Sequence, residues 1–159
     1  MKIYLFLLAI FISITCFCQE KNLIEIRTCF KSLEGVNEIK RLIDLSNNNL
    51  DDPVILAYNY TGKLMILDYF NNPFKKYNVF KTKTKQMDSI VSTNPKNIEI
   101  RLLRYVLQKN SPYFLKYNSD LRSDLNYIKS NLYKENENLQ FYIETLLIQF
   151  NNERSSNPS

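Results

Sequence analysis

Asp51-Asp52-Pro53-Val54-Ile55-Leu56-Ala57-Tyr58-Asn59-Tyr60-Thr61-Gly62-Lys63-Leu64-Met65-Ile66-Leu67-Asp68-Tyr69-Phe70 is the stretch on which the fold turns. Asp52 offers a carboxylate to the free N–H groups of a helix start, and Pro53 suits the first helical position. From Val54 to Phe70 the apolar residues then fall nearly all round the helical wheel. A helix without a polar face belongs in the centre of a fold. Asn59, Thr61, Gly62, Lys63 and Asp68 interrupt the run and argue for a buried core helix over a membrane span. Gly62 inside a helix costs about 1 kcal/mol relative to alanine. The compensation expected is a neighbouring helix crossing close by. Asn59-Tyr60-Thr61 matches a glycosylation triplet, but its place in the most apolar helix discounts it.

Working outward, apolar positions recur at helical spacing almost throughout, and breakers fall where helix ends belong. Upstream, the pattern predicts helices over Asn22–Leu33 and Asn37–Leu45, with Gly35 as a left-handed C-cap of the first. Downstream it predicts Pro73–Ser92, a helix opened by Asn94-Pro95 and running to Lys109, then Ser119–Tyr133 and Glu137–Phe150. Gly occurs only at Gly35 and Gly62, which counts against hairpin-rich sheets. The expectation is an all-α fold of six or seven antiparallel helices stacked as hairpins, in a bundle or a short repeat-like array. It is expected to form a single helical domain over residues 19–150, followed by a flexible polar tail at 151–159.

The chain opens with Met1-Lys2, a short apolar run over Ile3–Thr15, and Cys16-Phe17-Cys18 before polarity switches at Gln19-Glu20. A charged start, an apolar core and small residues at −3 and −1 of a cut after Cys18 describe an export signal over residues 1–18. The run is short against the roughly 20 residues of a membrane-spanning helix. The mature protein is therefore expected to start at Gln19 and to work in the periplasm or outside the cell. Any membrane attachment would come only through an uncleaved signal. Cleavage leaves Cys29 as the single cysteine, so no internal disulfide can form, and a small buried core residue is the expected role.

Composition narrows the chemistry further. Hydrophobic content of 45% with 23% charged residues is that of a folded chain. Formal net charge is +5, scattered along the sequence, which suits solubility and does not build a nucleic-acid footprint. Histidine is absent, which removes the commonest general base and the commonest zinc ligand together. Catalysis by carboxylate, lysine, serine or tyrosine stays open. No glycine-rich phosphate loop or nucleophile elbow occurs, and no cofactor or metal is expected.

Four features are candidates for binding. Lys75, Lys76, Lys81, Lys83 and Lys85 form the one cluster of a single sign. On a helical wheel, however, Tyr77, Phe80, Met87 and Val91 share a narrow arc, expected to be buried, and the lysines frame it without merging into one patch. Glu99 projects into the apolar arc of its helix. An unpaired buried carboxylate costs several kcal/mol, so it should accept hydrogen bonds from tyrosines, lie at a helix start, or act as an acid in a cleft. Arg101 and Arg104, one turn apart, could hold an anion, with surface ion pairing the expected alternative. Tyr113-Phe114-Leu115-Lys116-Tyr117 could form an exposed aromatic edge, although packing onto the core is expected. The carboxylates of Asp51-Asp52 and of Glu135 and Glu137 are explained by helix starts.

The hairpins opened by Asp52-Pro53 and by Asn94-Pro95 before Asn97 resemble tetratricopeptide-type repeats, although Pro53 and Pro95 stand further apart than that family's period of about 34 residues. Leu23 to about Leu132 is similar to small exported helical proteins of unassigned function. These resemblances imply stacked helical hairpins and an exported compartment, and they carry no catalytic residue across. The function expected is a non-catalytic protein-interaction or scaffold module of the cell envelope, with protein as partner. One alternative is an inhibitor or immunity-type protein for a single exported toxin or enzyme. Another is a carboxylate-dependent enzyme centred on Glu99, with Arg101 or Arg104 binding an anionic substrate.

Overall fold

A computed structural model describes residues 21–156, with side chains to Asn151. The export signal over residues 1–18, the start at Gln19 and the last three residues of the polar tail lie outside the described residues. Seven α-helices and no strand occur among the described residues: α1 (21–31), α2 (Val36–Ser46), α3 (Pro53–Met65), α4 (Pro73–Thr93), α5 (Ile98–Asn110), α6 (Leu121–Asn131) and α7 (Glu137–Ser156). The protein is all-α, as the periodicity predicts.

Local chemistry sets the helix starts. Asp52 accepts from the Val54 and Ile55 N–H groups at 2.8 and 3.1 Å, with Pro53 in the first turn. Asn72 accepts from the Lys75 N–H at 3.0 Å ahead of α4. Asn97 accepts from the Glu99 and Ile100 N–H groups, each at 3.0 Å. The last cap moves the start of α5 from Asn94-Pro95 to Ile98, because Asn97 supplies the acceptor that Asn94 does not. α3 tightens into a 3-10 turn at Ile66–Tyr69, so the apolar run is helical in two pitches and ends one residue before the expected Phe70, which is extended. α7 continues past Phe150 to Ser156. Gly35 is not a C-cap of α1. It precedes α2 with φ 153° and ψ −170°, a conformation essentially closed to residues bearing a Cβ.

Consecutive helices pair as hairpins, α2 with α3, α3 with α4, and α5 with α6. α3 also packs directly on α5, and α5 on α7. The expected close crossing at Gly62 is present: a Cβ there would lie 2.8 Å from Ile43 Cγ1 on α2. α3 shares the centre with α5, in which every residue from Leu102 to Lys109 is buried, including Arg104, Gln108 and Lys109. The polar side of α5 is therefore covered and not solvated as its wheel suggests. Phe30 of α1 meets Tyr58 of α3 edge-on with centroids 5.3 Å apart, and meets Phe150 of α7 at 6.1 Å. The first and last of the described helices thus touch. In a repeat array each unit meets only its neighbours, so the helices close into a bundle and the array alternative falls.

Packing of α4 departs most from the sequence pattern. Thr84, Met87, Ile90 and Val91 are buried, but no residue from Pro73 to Lys83 is. Tyr77, expected on the buried stripe, is 54% exposed. The first half of α4 meets the bundle only through partly buried side chains, Val79 and Phe80 among them.

Candidate functional site

The sequence-derived candidates fall into two buried charge clusters on different faces of α5, and a third feature emerges beside them. Glu99, in the first turn of α5, is 2% exposed. Its Oε1 accepts from Arg27 Nε at 2.7 Å and from the Tyr58 hydroxyl at 2.7 Å; its Oε2 accepts from Arg27 Nη2 at 2.6 Å. Tyr58 therefore spends its proton on Glu99, and Tyr142 donates to Tyr58 across 2.7 Å. Burial opposes the charge on Arg27, but the hydrogen bond and negative charge of Glu99 outweigh it and raise its pKa above the ordinary value. Burial first, and then the Glu99 charge, pushes the Tyr58 phenol well up. Of the roles open to Glu99, the geometry supplies both structural ones: a tyrosine donor and a helix start, with Arg27 as an ion partner the pattern did not reveal.

Arg101 and Arg104 point to the other side. Asp124 of α6, wholly buried, accepts from Arg101 Nη1 at 2.6 Å and from Arg104 Nε and Nη2 at 2.7 and 2.9 Å. Arg104 also lies 3.4 Å from Asp88 and 3.6 Å from Asp120. Arg101 donates to the Pro95 carbonyl at 2.7 Å and stands 4.3 Å over the Tyr127 ring. The surface pairing expected for these arginines is thus replaced by a buried one, because α6 inserts a carboxylate between them. Burial raises the Asp88 carboxyl, whose acceptor role toward Tyr117 and Arg104 only partly offsets it. At Asp120 burial acts the same way, but hydrogen bonding from Ser119 and the charge of Arg104 outweigh it and lower its pKa. Neither arginine reaches toward Glu99. The proposed trio of Glu99, Arg101 and Arg104 is therefore not one site.

The third feature is a groove of about 600 Å³ between the first half of α4, the end of α3 and the Tyr113–Leu115 turn. Leu67 and Val106 form its floor, both core residues. Tyr69, Tyr77 and Phe114 line its rim. The expected packing of Tyr113–Tyr117 holds only for Tyr117, whose ring meets Phe80 edge-on at 5.8 Å and whose hydroxyl donates to Asp88 at 3.1 Å. Tyr113 and Phe114 are 85% and 78% exposed. The reversal occurs at Lys116, which takes a left-handed φ of 52° and turns Tyr117 inward while its neighbours stay out. One signal in the sequence pointed this way: Tyr113 and Phe114 are adjacent in a short turn after Ser111-Pro112, where no helical face exists to bury both.

Among the described residues, no group of Cys, Asp and Glu is placed to hold a metal ion, and no helix is long and apolar enough to cross a membrane. No family model matches the chain, so the tetratricopeptide likeness rests on its proline-led hairpins alone, and no curated protein or solved structure matches it either.

Proposed function

We propose that the protein is a non-catalytic interaction module of the cell envelope that binds protein partners through the groove beside α4. The observation that carries this is the aromatic rim of Tyr77 and Phe114 over a floor of core residues. Contiguous exposed apolar surface is unfavourable in water and marks interaction sites, and aromatic residues dominate binding energy at such sites. The charged groups that chemistry would need are already occupied. Glu99 is saturated by Arg27 and Tyr58, and Arg101 and Arg104 are held by Asp124. Those pairings favour a binding role over the carboxylate-enzyme alternative. The envelope location rests on the export pattern of residues 1–18.

The inhibitor or immunity-type reading draws support from Lys81 and Lys85, exposed on α4 with no carboxylate partner among the described residues. Two exposed lysines one turn apart, outside the groove lining, suit one acidic partner. A photocrosslinking amino acid placed at Phe114, with Tyr133 as an exposed control outside the groove, separates the readings in the exporting cell. Several weak protein adducts specific to Phe114 are expected for a scaffold, and one stoichiometric adduct for an inhibitor. Equal adducts from both positions, or none from Phe114, would overturn the groove assignment.

A further inference from the structure

The Tyr113–Leu115 turn is one wall of the groove, and we infer that it is a hinged gate, latched shut by the Tyr117 hydroxyl on Asp88. The inference rests on the groove being a binding surface, as proposed above, and says what controls entry to it.

Pro112, Phe114, Leu115 and Tyr117 all line the groove. The segment that carries them leaves α5 at Ser111, whose hydroxyl donates to the Leu107 carbonyl at 2.7 Å. It is fixed again at Asp120, whose N–H donates to Gln108 Oε1 at 3.2 Å. Between those points, among the described residues, the backbone bonds only to itself: the Leu115 N–H to the Pro112 carbonyl and the Lys116 N–H to the Tyr113 carbonyl. Tyr113 and Phe114 project into solvent, and of the segment's aromatic and leucine side chains only Tyr117 packs on the buried core. Tyr117 also makes the segment's one hydrogen bond to α4, to Asp88 Oδ1 at 3.1 Å. A unit with so few ties to the body opens at low free energy. Its ends suit the motion. Ser111 and Pro112 leave the helix with ψ of 137° and 136°. Lys116 holds a left-handed φ of 52°, which a residue bearing a Cβ keeps only while its surroundings require it.

The buried charges set the latch from the other side. Asp88 Oδ1, the atom that receives Tyr117, also accepts from Arg104 Nη1 at 3.4 Å. Arg104 cannot follow Tyr117 outward, because its Nε and Nη2 are held by Asp124 at 2.7 and 2.9 Å. It is a positioning residue that keeps the acceptor in place. Asp88 keeps 42% side-chain exposure, so water competes for the same oxygen and the latch closes the turn without locking it. The Tyr117 ring rests edge-on against Phe80, another groove residue, so its release widens the mouth above Leu67 and Val106. The gate is shut in the structure, and the open form is the minor one.

Trypsin cleavage after Lys116, inside the gate, reads the open fraction, because proteolysis follows the population of an open form that recloses quickly. Tyr117→Phe keeps the ring against Phe80 and removes only the hydrogen bond. Cleavage should rise about tenfold, the lower end for a bond to a charged acceptor, since Asp88 is part-exposed. Asp88→Ala should give the same rise, and the double variant no more than either single. Cleavage after Lys40, exposed on α2, is the control, and circular dichroism should show the bundle kept. Nile red, an uncharged dye, probes the groove, whose charged lining residues, Lys76 and Asp68, pair with each other at 3.4 Å. It should bind Tyr117→Phe about tenfold more tightly, since apparent affinity scales with the competent fraction. In the parent, saturating dye should in turn speed cleavage after Lys116. Equal cleavage in parent and Tyr117→Phe would overturn the inference by removing the latch. Faster cleavage with unchanged dye affinity would overturn it by leaving the turn no hold on the groove. In either case a protein adduct from Phe114 keeps the groove reading standing. If cleavage and dye respond as stated but Phe114 crosslinks to no protein, the gate stands and the protein-binding reading falls.

Discussion

Replacing Glu99 by leucine should destabilise the fold by about 3 kcal/mol, and replacing Arg27 as well should restore most of the loss. The figure follows from what each change strands. Glu99→Leu leaves Arg27 Nε, Arg27 Nη2 and the Tyr58 hydroxyl without their acceptor. Tyr58 can redirect its proton to Tyr142, whose ring is not fully enclosed, so that part costs about 1 kcal/mol. Breaking a buried ion pair by removing one partner costs about 3–5 kcal/mol. The Arg27 side chain keeps 24% exposure and can draw water, which places the variant at the lower end. Arg27→Met strands the harder group, a carboxylate 3% exposed with only Tyr58 left to it, and belongs near the upper end, about 4–5 kcal/mol. The double variant leaves no uncompensated charge and an apolar pair of similar volume, a replacement that is often neutral. Urea unfolding of the four proteins, extrapolated linearly, measures the cycle. The expected coupling is about 6 kcal/mol or more, well beyond the additivity of independent sites. Single losses that simply add in the double variant would refute the pairing. A Glu99→Leu protein as stable as the parent, with its binding activity lost, would return Glu99 to the role of a strained functional acid.

Two further outcomes test the packing and the buried phenols. Gly62→Ala should lower the melting temperature even though alanine gains about 1 kcal/mol of helix propensity, because its Cβ meets Ile43 Cγ1 at 2.8 Å and overpacking costs about 1–3 kcal/mol; a raised melting temperature would show that α2 yields at this crossing. Burial raises the phenols of Tyr58, Tyr117 and Tyr142, so the folded chain holds their protons where the unfolded chain releases them. Their stabilisation of the folded state is unaffected below the unfolded pKa of about 10, and stability falls as pH rises beyond it. Phenolate absorbance followed beside helical circular dichroism should show these three of the 11 tyrosines ionising only as helix is lost, and reversible titration of all of them in the intact fold would contradict it.

Much of the candidate site was legible as isolated residues and little of it as partnerships. The wheel placed Glu99 against the core because its neighbours Leu103 and Val106 are apolar, and the carboxylate is indeed buried. Its partner Arg27 lies 72 residues away on α1, a distance in sequence over which no periodicity carries information. Arg101 and Arg104 stood out as a pair for the same local reason. Asp124, 20 residues beyond Arg104, reaches them only because α6 crosses α5. The groove was the reverse case. Its aromatic residues were visible, but an apolar stripe on a helix signals that something should cover it, not that something does.

The sequence by itself determined the seven helices of the described residues and most of their ends, because caps and breakers act within a few residues: Asp52 with Pro53 and Asn72 with Pro73, while at α5 the cap proved to be Asn97, three residues past the Asn94 expected. It also determined that α3 is enclosed, since an all-round apolar helix has no stable exposed orientation. Only the tertiary structure decided that α1 meets α7 and closes a bundle, that α5 is sheathed on every side, and that α4 has no fully buried residue before Thr84. Each depends on which surfaces meet, and that is set by long-range packing and by the ion pairs the crossings permit. Local periodicity fixes which side chains share a face; the partner for that face comes from elsewhere in the chain. For Tyr77 and Phe114 no other part of the described chain supplies one, and that is why they stand at the edge of the groove.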